Sequence, residues 1–190
     1  MDWVAIVSHP ILVVVSAGLL VCVFLRGVAH KLFDFGWFVH TLAEYRLVPA
    51  RLVSPAAAVL ALIEAIVAIG FVAPQSRAAA AIAGAALLLT YAAAIAVNLL
   101  RGRSRIECGC GGAGEGLSWT LVVRNTVLAG FALLAAQTPL PAAFGPFEWI
   151  TAAAAIASLW LLLVSIEKLA GNLSHLAAAD TARGEHPGRH

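Results

Sequence analysis

Charged side chains are scarce in this chain of 190 residues, at 12% of the total against about a quarter in an ordinary soluble domain. Hydrophobic residues reach 62% and the mean hydropathy is +0.93, which excludes a soluble globule and a disordered chain. Three cysteines are too few for the disulfide framework of a small secreted protein. A net charge of only +2 argues against nucleic acid as a partner. The remaining class is an integral membrane protein, with membrane lipid as its surroundings.

Five apolar stretches are each long enough to cross the roughly 30 Å hydrocarbon core of a bilayer. They cover approximately residues 3–25, 55–73, 78–100, 119–136 and 147–166. The first lacks the basic amino-terminal region of a cleavable signal peptide, and it can continue far enough to bring Arg26 into the membrane. We predict an all-α fold, a polytopic membrane helix bundle with four to five transmembrane helices. Residues 1–171 form one domain in this prediction, and residues 172–190 form a flexible polar tail.

The segment between the first two stretches is amphipathic. Residues 33–47, FDFGWFVHTLAEYRL, mix aromatic side chains with Asp34, His40, Glu44 and Arg46. This pattern predicts a short helix at the membrane interface. Trp3, Trp119 and Trp149 lie at the starts of predicted spans and Trp37 lies in the first loop, whereas Trp160 lies inside the last stretch.

The distribution of basic residues predicts an orientation. The face shared by the first loop, the third loop and the carboxyl tail has ten Lys and Arg residues outside the spans: Arg26, Lys31, Arg46, Arg51, Arg101, Arg103, Arg105, Lys168, Arg183 and Arg189. The opposite face has one, Arg77. The positive-inside rule then places the amino terminus outside and the third loop in the cytoplasm. If one of the five stretches is re-entrant and does not cross the membrane, every later segment has the opposite orientation.

The third loop contains a pair of cysteines, Cys108 and Cys110, on either side of Gly109. A disulfide between them closes a small ring that needs the backbone to bend at the glycine. Such a bridge is strained and easily reduced, which suits a catalytic or regulatory thiol pair. Nearby arginines and the amino-terminal end of the following helix favour the thiolate form.

Other interpretations of the cysteines stay open at this point. The pair can be two unpaired thiols in a reducing compartment, or two sulfur ligands for a soft ion such as Cu(I), although no third ligand is nearby. We predict no metal site. Cys22, near the far end of the first span, is either a third, resolving thiol or a packing residue.

Glu64 lies near the middle of the second span, where an ionised group is costly and usually faces a partner or a water-filled cavity. The sequence offers Arg26, Asn98, Arg124 and Asn125 as partners. One interpretation is an ion pair that orients helices, and the other is a proton carrier for thiol or quinone chemistry.

Arg26, His30 and Asp34 share one helix face at positions i, i+4 and i+8. This face either lines the entrance to the thiol site or anchors the helix at the lipid headgroups. For Lys31 we predict a headgroup anchor.

Several segments together resemble the MauE family, methylamine utilisation membrane proteins that belong with DoxX-like redox-associated proteins. These segments are RGVAHKLFDF after the first span, EYRLVP, a glutamate in span two, NLLRG leading into CGC, and VVRN in span four. The most specific element is, in order, Asn98, Arg101, Gly102, Cys108, Gly109, Cys110, Gly112, Arg124 and Asn125. Family members often have an aromatic residue where this chain has Gly111.

The resemblance implies a role in maturing the disulfide-rich small subunit of a periplasmic quinoprotein amine dehydrogenase, together with a MauD-type thioredoxin-like partner. A distant likeness to vitamin K epoxide reductase and DsbB-type thiol oxidases makes a membrane quinone the candidate cofactor and electron acceptor. These implications conflict with the cytoplasmic position that the charge distribution predicts for Cys108 and Cys110. Both orientations stay open.

The primary hypothesis is a membrane thiol-disulfide oxidoreductase in which Cys108 and Cys110 interconvert between dithiol and disulfide. Cys22 is an optional third thiol, and Glu64 and Arg124 support the site. The rival is a non-enzymatic protein that docks a thioredoxin-like partner or a nascent subunit. A small transporter or metal handler is a third, weaker hypothesis.

Overall fold

The computed structural model of the chain describes residues 8–103, 116–139 and 144–184, with no side-chain detail at 170–171 and 173–184. Within these ranges the chain forms six α-helices and no β-strand. The helices are α1 (Pro10–Phe33), α2 (Phe35–Glu44), α3 (Val53–Val72), α4 (Pro74–Leu100), α5 (Trp119–Ala135) and α6 (Pro146–Gly184). A single 3-10 turn, Ala50–Leu52, leads into α3. The prediction of an all-α bundle is confirmed.

Four of the helices are long and apolar enough to cross a membrane. They are α1, α3 with its preceding turn, α4, and the part of α6 up to Leu169. The fifth, α5, has 17 residues and is about 25 Å long at 1.5 Å per residue, slightly less than a bilayer core. The four to five predicted transmembrane helices and the short helix between the first two, α2, are therefore all present.

Residues with special backbone properties mark several helix ends. Pro10 and Pro74 begin α1 and α4, where the missing N–H of proline costs no helical hydrogen bond. Gly102 ends α4 with a positive φ of 72°. The Gly102 N–H donates to Leu99 and the Arg103 N–H donates to Asn98, which satisfies two carbonyls at the end of the helix.

The register between helices follows from side-chain contacts. Gly18 of α1 faces Ile156 of α6, and Arg26 pairs with Glu167, so these two helices run parallel. Phe24 stacks on Phe71 of α3 with ring centroids 6.2 Å apart, whereas the later residue Lys31 pairs with the earlier residue Glu64. Helix α3 is therefore antiparallel to α1.

The same reasoning makes α4 parallel to α1, because Gly84 faces Phe24 and Tyr91 faces Lys31. Helix α5 returns along α4, with Leu117 and Leu121 packed in one cluster with Ile95. The ends of α1, α4 and α6 and the starts of α3 and α5 thus lie together. We refer to this end of the molecule as the loop-one end.

Helix α6 extends past the rest of the bundle at the loop-one end. The register set by Gly18 and Ile156 brings α6 level with the end of α1 near residue 171. It then continues to Gly184, a projection of about 20 Å at 1.5 Å per residue. Residues 172–184 of the predicted polar tail are thus helical, while their flexibility stays a prediction and residues 185–190 lie outside the described ranges.

Small residues let the helices approach closely in the core. A Cβ at Gly84 would lie 3.2 Å from both the Phe24 ring and Val67, so glycine provides the space that the aromatic ring occupies. Ala81, Ala132 and Ala135 are fully buried in the same cluster. Helix α4 contacts both α3 and α5, and α1 contacts α3, α5 and α6.

Candidate functional site

The predicted thiol pair lies outside the described residues. Cys108, Gly109 and Cys110 belong to the segment 104–115, which the structure leaves undescribed between α4 and α5. The flanking residues Arg103 and Gly116 belong to the loop-one end. The ionised side chains that the bundle buries lie further along the helices, on α1, α3, α5 and α6.

Glu64 of α3 forms the centre of the first ionised cluster. Its two carboxylate oxygens accept hydrogen bonds from the Lys31 ammonium group at 2.9 and 2.8 Å, and Oε1 also accepts one from the Tyr91 hydroxyl at 2.7 Å. The Lys31 and Glu64 side chains are each 3% exposed. One positive and one negative charge therefore neutralise each other in a closed site between α1, α3 and α4.

Two further residues complete the enclosure of this Lys31–Glu64–Tyr91 cluster. The Phe38 ring of α2 lies 4.9 Å from the Lys31 ammonium group, and the Tyr91 ring lies 5.6 Å from it. Both positions suit a cation–π interaction. A Cβ at Gly27 would lie 3.3 Å from Glu64 Oε2, so glycine leaves room for the carboxylate. Helix α2 thus covers the charged group at the end of α1.

The predicted environment of Glu64 and of Lys31 is wrong. Glu64 pairs with Lys31 rather than with Arg26, Asn98, Arg124 or Asn125. Lys31 is a buried counter-ion and not a headgroup anchor. The physical reason is helix geometry: Lys31 is five residues from Arg26, about 140° around the helix, so it faces α3 while Arg26 faces α6.

Glu167 of α6 forms the centre of a second ionised cluster. Its Oε2 accepts a hydrogen bond from Arg26 Nη1 at 2.6 Å, and its Oε1 lies 2.7 Å from Arg124 Nε. The second contact is an ion pair without an aligned hydrogen bond. The Arg26 and Arg124 side chains are 17% and 13% exposed, against 5% for Glu167. Two guanidinium groups from α1 and α5 thus share one carboxylate.

Trp160 belongs to this second cluster as well. The Arg26 guanidinium carbon lies 5.7 Å from the centre of the Trp160 ring, a cation–π distance. Trp160 lies about two helical turns before Glu167, so Arg26 lies between the ring and the carboxylate. This contact explains why Trp160 departs from the boundary positions of the other tryptophans.

The polar face predicted on α1 is divided in the structure. Arg26 points to α6, while His30 and Asp34 are exposed. Asp34 ends α1 and its carboxylate accepts a hydrogen bond from the Trp37 N–H at 3.0 Å, so it caps the start of α2. Cys22, one turn before Arg26, is half-buried and is a free thiol. Arg26, His30 and Asp34 therefore do not line a common site.

The remaining predicted site residues lie along α4 and α5. Asn98 is fully buried and donates to the Ala94 carbonyl, and Asn125 is 2% exposed. Asn98 Oδ1 and Asn125 Nδ2 have no hydrogen-bond partner among the described residues. Arg101 is exposed at the end of α4. Among the predicted site residues that the structure describes, Arg26 and Arg124 are joined through Glu167.

Three contributors were missed by sequence reasoning: Tyr91, Glu167 and the pairing role of Lys31. Glu167 follows the predicted fifth span at once, a position where a carboxylate is easily taken as solvated. Tyr91 is the only tyrosine inside an alanine-rich helix, which is a detectable signal for a buried hydroxyl that needs a partner.

Each ionised cluster has a different chemical capacity. The Glu64 carboxylate is fully engaged by its partners, so it is suited to holding three helices together. The Glu167 cluster joins two arginines to one carboxylate among the described residues. No three His, Cys, Asp or Glu side chains of the described ranges lie together as a metal site would require.

Comparisons with known proteins give a consistent result. The family model of "Methylamine utilisation protein MauE" matches residues 8–138 of the chain. The chain is 40% identical to the methylamine utilization protein MauE of Paracoccus denitrificans over 174 residues, covering 90% of this chain and 91% of the relative. No solved structure matches it.

Two other relatives have the same description. The MauE protein of Methylorubrum extorquens is 32% identical over 183 residues, which cover 95% of this chain and 98% of the relative. The MauE protein of Methylophilus methylotrophus is 32% identical over 171 residues, covering 88% and 90%.

Proposed function

Because this chain belongs to the MauE family of methylamine utilisation proteins, we propose that it is an inner-membrane thiol-disulfide redox protein. In this proposal it assists disulfide formation in the small subunit of a periplasmic amine dehydrogenase, together with a MauD-type thioredoxin-like partner. Cys108 and Cys110 are the reactive thiols.

The observation that carries the proposal is the position of the cysteine pair along the chain. Cys108 and Cys110 lie between the end of α4 and the start of α5, and both of these helix ends belong to the loop-one end. Arg101 and Arg103 precede the pair in the sequence. Positive surroundings lower the free energy of a thiolate, the form that attacks a disulfide.

The proposed reaction is a thiol-disulfide exchange. The Cys108–Cys110 disulfide breaks as a substrate dithiol becomes a disulfide, so two electrons and two protons pass from substrate to this protein. A membrane quinone then takes up two electrons and two protons from the reduced pair and becomes a quinol. The disulfide is thereby restored for the next substrate.

The test is a double substitution, Cys108→Ser with Cys110→Ser, in cells that produce the dehydrogenase. Alkylation of free thiols followed by a gel-shift assay measures how much small subunit has acquired its disulfides. We expect the double variant to lose this maturation and the matched control Cys22→Ser to retain it. Full maturation in the double variant contradicts the redox role.

The orientation of the pair is tested separately with a membrane-impermeant thiol reagent. Labelling of intact spheroplasts that appears only after reduction supports a periplasmic disulfide. Labelling confined to inverted vesicles, with no need for reduction, supports the amino-terminus-outside orientation that the basic residues predict. That second result favours the docking alternative over the thiol oxidase.

The docking alternative is favoured by α2 and its surroundings. Phe33 is 90% exposed immediately before α2, and Trp37 is half-buried on that helix. Exposed aromatic side chains at a membrane surface are typical of contact sites for partners or headgroups. If docking is the whole function, Trp37→Ala abolishes maturation and the double cysteine variant does not.

A further inference from the structure

We propose that α2 is a movable strap over the Lys31–Glu64 ion pair. It covers the pair in this structure and opens about its two ends, at Asp34 and Arg46. The function proposed above assigns no such device and is not needed for it. Three features support the strap: the small buried surface of α2, the geometry of its two ends, and the position of Phe38 over the ammonium group.

Helix α2 covers the ion pair with few buried side chains. Phe38 is 6% exposed, and its ring lies 4.9 Å from the Lys31 ammonium group. Phe38 and Thr41 are the two buried residues of the ten in α2, which packs against α1 and α3. An element with few buried contacts can open locally at a lower free energy than the whole protein needs to unfold. Local opening of α2 would lift Phe38 from the charged group.

The first end of the strap is a single residue between two helices. Asp34 separates α1 from α2, and its φ of −137° and ψ of 71° belong to neither helix. The side chain is exposed, and its carboxylate accepts the Trp37 N–H at 3.0 Å. This cap satisfies one free N–H at the start of α2. One exposed hydrogen bond thus helps to hold this end of the strap in its helical, closed form.

The second end of the strap is strained. Arg46 follows α2 with a φ of 49°, in the left-handed region that disfavours residues with a Cβ and usually holds glycine at the end of a helix. The residue before it, Tyr45, is buried in a cluster with Ile95, Leu117 and Leu121. The chain is therefore fixed at Tyr45 and strained directly after it. Such strain is typical of switch regions, and its release favours the opening of α2.

Opening of α2 changes the environment of the ion pair. It moves the Phe38 ring away from Lys31, and water then reaches the two Lys31–Glu64 hydrogen bonds of 2.9 and 2.8 Å. An ion pair is much weaker in water than in a low-dielectric interior. The pair joins α1 to α3, and the Tyr91 hydroxyl joins it to α4. The position of α2 thus controls how firmly these three helices are held together.

The experiment uses the two lysines of the chain as probes. The Lys31 side chain is 3% exposed beneath α2, whereas Lys168 is exposed. Reductive methylation of the full-length protein in nanodiscs, followed by peptide mass spectrometry, measures the rate at each lysine. We expect Lys31 to react roughly a hundredfold more slowly than Lys168, through local opening of α2.

A core variant separates local opening from global unfolding. Leu128→Ala removes a buried side chain of α5 and lowers the stability of the whole bundle without touching α2. Labelling through the strap should leave the Lys31 rate in this variant as it is in the wild type. A Lys31 rate that rises with the loss of core stability overturns the proposal, because labelling would then follow global unfolding.

Substitutions at the two ends of α2 should shift the opening in opposite directions. Asp34→Ala removes the cap and should raise the Lys31 rate about fivefold, while the matched control Asp34→Asn keeps a capping oxygen and should stay near the wild type. Arg46→Gly relieves the left-handed strain and should lower the rate by roughly threefold. Lys168 should react equally in all three variants. An unchanged Lys31 rate in Asp34→Ala overturns the proposal; if that variant does not fold, an unchanged or higher rate in Arg46→Gly does so.

Discussion

The two ionised clusters of this protein share helix α1, where Arg26 and Lys31 are five residues apart. They differ in how deeply their charged side chains are buried and in how their charges are paired. The Lys31–Glu64–Tyr91 cluster is charge-balanced, and its two ionised side chains are 3% exposed. The Arg26–Glu167–Arg124 cluster joins two arginines to one carboxylate, and the arginine side chains are 17% and 13% exposed. The first cluster is a closed contact between packed helices, whereas the second joins α5 and α6, which pack little against each other, through long and partly exposed side chains. A buried charge in a membrane helix is therefore not by itself a sign of chemistry.

The largest effect is expected at the Lys31–Glu64–Tyr91 cluster, which we call the closed cluster. Lys31→Met leaves the Glu64 carboxylate buried with only the Tyr91 hydroxyl, and we expect a loss in the free energy of unfolding of about 3 kcal/mol or more. The double variant Lys31→Met, Glu64→Met removes both charges and should recover most of that loss. Unfolding in mixed detergent micelles measures both. Equal losses of unfolding free energy in the single and double variants would contradict a stabilising role for the Lys31–Glu64 ion pair.

A smaller effect is expected at the Arg26–Glu167–Arg124 cluster. Glu167→Ala removes the shared counter-ion of two partly exposed arginines, which are less desolvated than Lys31, so we expect a loss in the free energy of unfolding of about 1–2 kcal/mol. The same unfolding assay measures it. A loss as large as that of Lys31→Met would remove the distinction between the clusters.

Tyr91→Phe tests one hydrogen bond within the closed cluster. The variant keeps the ring next to Lys31 and removes the hydroxyl that donates to Glu64 Oε1 at 2.7 Å. The expected loss is about 1 kcal/mol, the usual value for one hydrogen bond. Thermal unfolding monitored by fluorescence-detected size exclusion measures it. A loss approaching that of Lys31→Met would show that the hydroxyl, and not the ion pair, holds the site.

The smallest expected change in stability concerns two helical glycines, Gly27 and Gly130. An alanine at Gly27 would place its Cβ 3.3 Å from Glu64 Oε2, whereas an alanine at Gly130 meets no atom within 4 Å. Alanine in an open helix position stabilises by about 0.5–1 kcal/mol over glycine. We expect this gain at Gly130 and its cancellation at Gly27, in parallel thermal scans of the two variants. A full gain at Gly27 would show that the carboxylate moves freely.

Much of the fold was predictable because a bilayer demands long apolar helices, and such runs are visible in a sequence. The predicted starts near Pro55 and Phe147 agree with the helices that begin at Val53 and Pro146 within two residues. The pairing of the ionised residues was not predictable. Arg26 and Lys31 are close in sequence, and only the positions of α3 and α6 around α1 decide which carboxylate each one meets.

The sequence by itself determined the membrane class, the helical spans, the cysteine pair and the family, since composition, run length and residue order are properties of the chain alone. The tertiary structure alone decided that Lys31 meets Glu64 and that Arg26 and Arg124 share Glu167. The reason is physical: an ion pair in a low-dielectric interior depends on distances of a few ångströms between side chains that lie 33 to 141 residues apart in sequence. Helix periodicity gives the direction of each side chain, and only helix packing gives its partner.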